Sequence, residues 1–303
     1  MCSEAQGLTG WNVALKVSTA APAKINLWLD VLGKRPDGYH EISTLMLPLK
    51  DVCDRVDVEL KEAGFTVRCD HPKVPADDEN IALKAARAYF EVAGWTGGAY
   101  VRIAKNIPVA AGLGGGSSDA GAVLRLLNRL STRPLPEPEL RGLAARLGAD
   151  VPFFITPRPA LATGIGEKLQ PVEGLPEYPV LLVKPPVSVS TAWVYGRIKL
   201  TRGTRRIRIP TLSARPWDLT AVMENDLEPV ALEAFPVVGH IMGWLLGRAG
   251  VRGVRMSGSG PTVFAIFRSF EDAEKAGFEA RNAWPECWVR VSRTCAASDF
   301  LSG

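Results

Sequence analysis

A glycine-rich run joins a strand to a helix near the middle of this chain, and it constrains fold and chemistry more than any other segment. The run is Pro108-Val109-Ala110-Ala111-Gly112-Leu113-Gly114-Gly115-Gly116-Ser117-Ser118. Ala99–Ala104 reads as a strand before it, and Lys105-Asn106-Ile107 turns into it. After it, Ala122, Leu124, Leu127 and Leu130 recur at helical intervals. Glycines let backbone N–H groups converge without Cβ clashes, and the helix that follows presents its unpaired N–H groups and positive dipole end to the same spot. Such a loop is an anion cradle suited to nucleotide phosphates. The plainer alternative is a tight turn without a ligand, although four glycines within Gly112–Gly116 exceed what a turn requires. Ser117 and Ser118 are placed to cap the helix and to offer hydroxyls to phosphate or Mg2+.

The loop is neither of the two common nucleotide motifs. Gly116 and Gly121 have Walker A spacing, but Ala122-Val123 stand where Lys and Ser/Thr belong. Gly112 and Gly114 open a dinucleotide fingerprint that fails at Ser117.

Around the loop, strands are expected in Ala14–Leu32, Glu41–Leu49 and Arg55–Leu60, with a proline-glycine turn at Arg35-Pro36-Asp37-Gly38-Tyr39-His40. Helices are expected at Asn80–Ala93 and Pro138–Leu147, the latter stopped by Gly148. Val151 precedes a proline and is expected to lead away extended. Composition shifts through the proline-rich stretch Pro171–Pro186, which places a domain boundary at 172/173 and divides the chain into 1–172 and 173–303. The second half reads as a strand at Val180–Val183, helices at Trp217–Glu228 and Val230–Ala249, strands at Gly253–Met256 and Thr262–Phe267, a helix at Glu271–Ala283 and a strand at Trp288–Arg293. That βαββαβ-like order fits helices on one face of an antiparallel sheet, an α+β architecture.

Lys24 lies in an otherwise apolar strand, where an ammonium needs a partner or a cleft. Asp150 sits at the mouth of a glycine-stopped helix. Phosphoryl transfer to an alcohol needs a base for the hydroxyl and cations for the developing charge. By spacing alone, each of the two reads more readily as an ordinary surface charge than as a catalytic group.

The bulk properties narrow the class. A chain of 303 residues with 47% hydrophobic and 22% charged residues is an ordinary folded protein, large enough for two domains. Its five cysteines are scattered without metal-ligand or C-x-x-C spacing and read as reduced thiols. Met1–Gly10 lacks the pattern of a signal peptide, and Pro229–Leu246 carries Glu233 and His240 and falls short of a membrane span. A cytoplasmic protein without membrane or nucleic-acid partners is expected. Arg202, Arg205, Arg206 and Arg208 form a basic cluster that reads as a solvated segment, since no aromatic interleaving makes it a base-stacking surface.

Three motifs in order resemble those of the GHMP kinase superfamily: Pro22-Ala23-Lys24-Ile25-Asn26-Leu27, Pro108–Ser118, and Ser257-Gly258-Ser259-Gly260-Pro261. Two narrower ones, Arg35–His40 and Leu147-Gly148-Ala149-Asp150-Val151-Pro152, are similar to the branch of that superfamily whose acceptor is a cytidine-diphosphate-linked methylerythritol, in non-mevalonate isoprenoid synthesis. The resemblance implies an N-terminal domain like the second domain of ribosomal protein S5, followed by a ferredoxin-like C-terminal domain. It implies transfer of the ATP γ-phosphoryl group to the acceptor's 2-hydroxyl with Mg2+. Asp150 would be the base, Lys24 its charge-stabilising neighbour, and Asn26 a positioning group. Tyr39 and His40 would face the cytosine, with Tyr195 stacking from the second domain. Lys105 would touch a phosphate, and Ser259 and Gly260 would close the cleft. No motif assigns a side chain to the metal, which leaves it to phosphates, water and a loop serine. Monomer and homodimer remain equally open.

The rival readings are a kinase of the same superfamily for homoserine or mevalonate, a nucleotide-binding regulator without catalysis, and a nucleic-acid-binding module. Tyr39-His40 speaks against the first, Lys24 with Asn26 and Asp150 against the second.

Overall fold

The computed structural model describes residues 16–198 and 223–296. Met1–Gly10, Cys2, the Arg202–Arg208 cluster and most of the expected Trp217–Glu228 helix lie outside the described residues.

Two long strands organise the N-terminal half. β1 (Lys16–Lys34) and β2 (His40–Lys61) form an antiparallel hairpin closed by the expected turn, in which the Arg35 N–H donates to the Tyr39 carbonyl at 2.8 Å. β2 pairs with β4 (Gly98–Ala104) through its C-terminal part and with β5 (Ala160–Gly164) through its N-terminal part. β3 (Gly64–Cys69) adds parallel to β4, and β6 (Lys168–Pro171) adds to β5. Where two short strands are expected, at Glu41–Leu49 and Arg55–Leu60, β2 is one strand, because β1 pairs with both parts, with a break of register at residues 49–52 between them.

The residues Ala21–Val31 of β1 are all buried rather than alternating, the pattern of a strand covered on both faces. One face of the sheet packs on α1 (Ile81–Ala93), α2 (Gly115–Leu130) and α3 (Glu137–Leu147). On the other, Ala23, Ile25, Leu27, Leu45 and Leu47 share a core with Val180, Leu182, Phe264 and Ile266 of the second sheet.

That second sheet has the order β10-β7-β9-β8, built from β7 (Pro179–Lys184), β8 (Val251–Met256), β9 (Val263–Phe267) and β10 (Trp288–Arg293), all antiparallel. With α7 (Phe270–Ala283) between β9 and β10, it is the expected ferredoxin-like arrangement. Its strands alternate by the period of two: Val180 and Leu182 face the first sheet, while Leu181 and Val183 pack on α7 and on the helix Pro236–Leu246.

Three expectations need correction. Val230–Ala249 is not one helix but α5 (Glu228–Ala234) and α6 (Pro236–Leu246), bent by 114° at Phe235, because Pro236 cannot continue a helix and disfavours helical geometry before it. No single helix among the described residues is long and apolar enough to cross a membrane. Val151 is not extended but opens a 3-10 turn, Val151–Phe154; its N–H bonds the Gly148 carbonyl at 3.1 Å, and all four side chains of the turn are buried, which outweighs the pre-proline preference. Within the Trp217–Glu228 stretch, Met223–Leu227 is not helical: Asn225 bridges to Leu29 of β1 instead.

Candidate active site

A cleft of ≈ 1070 Å³ opens where β1, the β1–β2 turn, the glycine loop, Asp150 and the C-terminal half meet. Of the residues singled out from sequence, Lys24, Asn26, Tyr39, His40, Lys105, Asp150 and Tyr195 all line it, together with Pro108–Gly112 and Gly114–Ser117. Leu113 and Ser118 do not. Leu113 belongs to the core shared by the two sheets, and Ser118 is fully buried within α2.

Lys24 and Asn26 lie two residues apart on β1, on one face of the strand. Breaks of register between Pro22 and Lys24 and between Asn26 and Trp28 flank them, and such bulges re-aim side chains. Lys24 Nζ donates to Asn26 Oδ1 at 2.5 Å and stands 3.4 Å from Asp150 Oδ2. Asn26 Nδ2 donates to Thr44 Oγ1 at 2.9 Å, and that hydroxyl donates to the Trp28 carbonyl at 2.6 Å. Lys24 is therefore a buried ammonium with two oxygen partners, not the surface charge that spacing alone allowed.

The glycine loop is shaped as much by its neighbours as by a ligand. Gly112 and Gly114 both have left-handed backbone, with φ of 74° and 73°. A Cβ on Gly112 would sit 2.2 Å from the Ser257 carbonyl oxygen, and one on Gly114 would sit 2.9 Å from the Phe154 ring. Ala110 holds φ of 51° without being glycine, a strain of about 1 kcal/mol. The helix begins at Gly115 with Gly114 as its cap, so Ser117 and Ser118 lie inside the first turns and do not cap it. The preceding left-handed glycine leaves the backbone N–H groups facing the cleft without a side-chain cap competing for them.

Ser257–Gly260 brings the C-terminal half to the same point. Ser257 Oγ donates to the Gly112 carbonyl at 2.9 Å and accepts from the Asn26 N–H at 3.3 Å. Asn225, which sequence reasoning missed, holds this turn: its Nδ2 donates to the carbonyls of Met256 and Gly258, both at 2.8 Å. Ser259 Oγ is 2.9 Å from Thr191 Oγ1, at the start of α4 (Thr191–Tyr195).

At one end of the cleft the Tyr195 and His40 rings meet at 5.2 Å between centroids, tilted by 31°, while Tyr39 is 58% exposed. Burial, and then Lys34, lower the His40 pKa, so the imidazole is neutral at pH 7. Burial pushes the Tyr195 phenol upward.

Lys105 is paired within the protein. Its ammonium contacts Asp54 and lies 2.8 Å from Asp119 Oδ2. Asp54 Oδ1 also accepts from the N–H groups of Asn106 at 2.6 Å and Ile107 at 2.8 Å. Burial would lower the Lys105 pKa, but Asp119 and Asp54 raise it overall. Burial pushes Asp119 up to about 8, against the pull of Lys105. The sequence signal for Asp119 was an acidic residue close behind the glycine-rich loop on an otherwise apolar helix face. No cluster of three or more metal-ligating His, Cys, Asp or Glu side chains occurs among the described residues.

An anion cradle at the N-terminus of α2, a Lys-Asp pair beside it and a ferredoxin-like lobe closing over both define a small-molecule kinase of the GHMP class. Residues 80–157 match the family described as GHMP kinases N terminal domain, and residues 214–286 match GHMP kinases C terminal. A homoserine kinase from Cytophaga hutchinsonii shares the fold with a TM-score of 0.73 at 18% identity, over 96% of this chain and 98% of that one. The crystal structure of a 4-(cytidine 5'-diphospho)-2C-methyl-D-erythritol kinase is 38% identical, with a TM-score of 0.76 over 92% of this chain and 99% of that one. The 4-diphosphocytidyl-2-C-methyl-D-erythritol kinase of Syntrophotalea carbinolica is 47% identical over 88% of this chain and 96% of its own length, and that of Geobacter sulfurreducens 46% over 91% and 99%. The chain belongs to the 4-diphosphocytidyl-2-C-methyl-D-erythritol kinase family.

Proposed function

We propose that this chain transfers the γ-phosphoryl group of ATP to the 2-hydroxyl of 4-diphosphocytidyl-2-C-methyl-D-erythritol, in the non-mevalonate route to isoprenoid precursors, with Asp150 as base. The observation that carries the catalytic assignment is the Lys24–Asp150 contact at 3.4 Å beside the glycine loop. Asp150 accepts the hydroxyl proton as the alcohol oxygen bonds to the γ-phosphorus and the bond to the β-phosphate oxygen breaks, releasing ADP. Lys24, held by Asn26 and Asp150, sets a positive charge where the transferring group develops negative charge. Asn26, fixed by Thr44, positions the acceptor. The loop from Pro108 to Ser118, with the N–H groups at the start of α2, cradles the ATP phosphates, while the Lys105 ammonium beside it is taken up by Asp54 and Asp119 rather than left free for a phosphate. Mg2+ bound with the nucleotide neutralises charge on the phosphates.

The acceptor's cytosine lies at the aromatic end. Tyr39 and Tyr195 offer stacking faces, and neutral His40 offers one donor and one acceptor to the pyrimidine edge. We assign 1–172 to the nucleotide-binding domain and 173–303 to the lobe that closes on it, a division supported by the two sheets. The enzyme works in the cytoplasm, where ATP is supplied, as a monomer or homodimer. Incubation with ATP and the cytidylyl acceptor, followed by phosphorus NMR of the product, tests the reading. A new phosphomonoester on that acceptor is expected. Turnover of mevalonate or homoserine with none of the cytidylyl acceptor would reverse it.

A further inference from the structure

With both carboxylates ionised, the Asp54–Lys105–Asp119 cluster does not balance its charge. Lys105 brings one positive charge to two buried carboxylates, and all three side chains are at most 4% exposed. Asp54 is satisfied: one oxygen takes two backbone N–H groups and the other takes the ammonium. The deficit falls on Asp119. Its Oδ2 accepts from Lys105, but Oδ1 is buried without a hydrogen-bond partner among the described residues. A buried carboxylate oxygen left open costs more than one hydrogen bond returns, so the arrangement is a structural liability unless something positive reaches it.

The place where Asp119 sits says what that is. Asp119 and Lys105 both line the cleft, on the wall formed by the glycine loop and the start of α2, where the nucleotide phosphates are proposed to bind. Lys105 is held against that wall as well, since a Cβ on Gly115 would sit 3.2 Å from its Nζ. A cation travelling with the phosphates would therefore come beside a buried carboxylate oxygen that has no hydrogen-bond partner among the described residues. Mg2+ suits this donor set, because it keeps several waters and binds through one or two carboxylates together with substrate phosphates. With no three-ligand protein cluster among the described residues, a shared site of this kind is the one the side chains fit.

We propose that Asp119 is the protein's carboxylate ligand for the divalent cation that accompanies ATP, its open Oδ1 completing a coordination shell made mostly of phosphate oxygens and water. The assignment rests on the nucleotide-binding reading of the loop. Lys105 then has two tasks: it holds Asp119 in place through Oδ2, and it offsets one of the two carboxylate charges until the metal arrives. A residue whose only task was to pair Lys105 would have no reason to leave one oxygen buried and open at the cleft wall.

The test is Mn2+ binding followed by electron paramagnetic resonance in the presence of ADP, on the full chain and on Asp119→Asn. ADP affinity in EDTA and thermal unfolding without ligand are measured in parallel. Asparagine keeps the shape and can still accept from Lys105, so the variant is expected to keep metal-free ADP affinity and an unchanged or higher melting temperature. Its Mn2+ affinity in the ADP complex is expected to fall about tenfold or more, the scale of losing a metal-site contact. Wild-type Mn2+ affinity in the variant overturns the proposal. A lowered melting temperature with equal losses of ADP and Mn2+ binding overturns it too, since that is the behaviour of a structural ion pair. Failure of the unmodified protein to bind ADP, with or without metal, instead removes the nucleotide reading beneath it.

Discussion

Lys24 Nζ stands 3.4 Å from Asp150 Oδ2, and the two side chains differ in exposure, 5% against 34%. The ammonium is fixed inside the protein and the carboxylate faces the cleft, which suits a fixed charge beside a group that must meet substrate. Replacing Asp150 by Asn is expected to lower kcat by roughly 10²- to 10⁴-fold while nucleotide affinity, measured calorimetrically, stays near that of the unmodified protein. Unchanged turnover would remove Asp150 from the mechanism.

Lys24→Met is expected to lower kcat on the same scale, and the double variant with Asp150→Asn to be little worse than either single one. Residues acting as one unit behave non-additively. Losses that multiply would show the two working independently, against the geometry.

At the aromatic end, Tyr195→Ala is expected to raise KM for the cytidylyl acceptor by about tenfold or more, from a stacking contribution of ~1–3 kcal/mol, with KM for ATP unmoved. Tyr195→Phe keeps the ring and is expected to retain the acceptor KM. Equal effects of the two variants would place the phenol hydroxyl, rather than the ring, in contact with the acceptor.

The lowered His40 pKa sets a direction for the pH profile. The neutral ring pairs a donor with an acceptor, whereas the imidazolium has donors only. Acceptor KM is therefore expected to be flat near pH 7 and to rise as pH falls through the His40 pKa, below the ordinary histidine value. In His40→Gln that limb is expected to vanish, because an amide does not titrate there. A limb that persists belongs to another group.

Gly112→Ala combines a left-handed backbone with a Cβ 2.2 Å from the Ser257 carbonyl oxygen. Relief requires moving the glycine loop off the Ser257–Gly260 turn. A stability loss of ~2 kcal/mol or more is expected, read as a melting temperature lower by roughly 4 °C or more. Activity is expected to fall with it, since the same turn carries the bond from Ser257 to Asn26.

Most secondary structure was legible because it depends on local pattern. The helix α1, the strand Trp288–Arg293 and the turn at Arg35–His40 lie where periodicity and turn chemistry put them. The errors came where a distant partner outvoted a local rule. Val151 turns because its side chain is buried with those of Phe153 and Phe154. Met223–Leu227 stays out of the helix because β1 and the glycine turn claim its backbone and Asn225.

The glycine run divides in the same way. By itself the sequence determined that a flexible, N–H-rich loop enters a helix, since glycine content and helical period are local properties, but it placed the start at Ser117–Ser118 rather than at Gly115. Only the tertiary structure decided what surrounds that loop. It set Lys24 against Asp150, paired Lys105 with Asp54 and Asp119, and put Asn225 behind the Ser257–Gly260 turn. Charges far apart in the chain become partners only when two sheets pack face to face and exclude the water that would otherwise solvate each one alone.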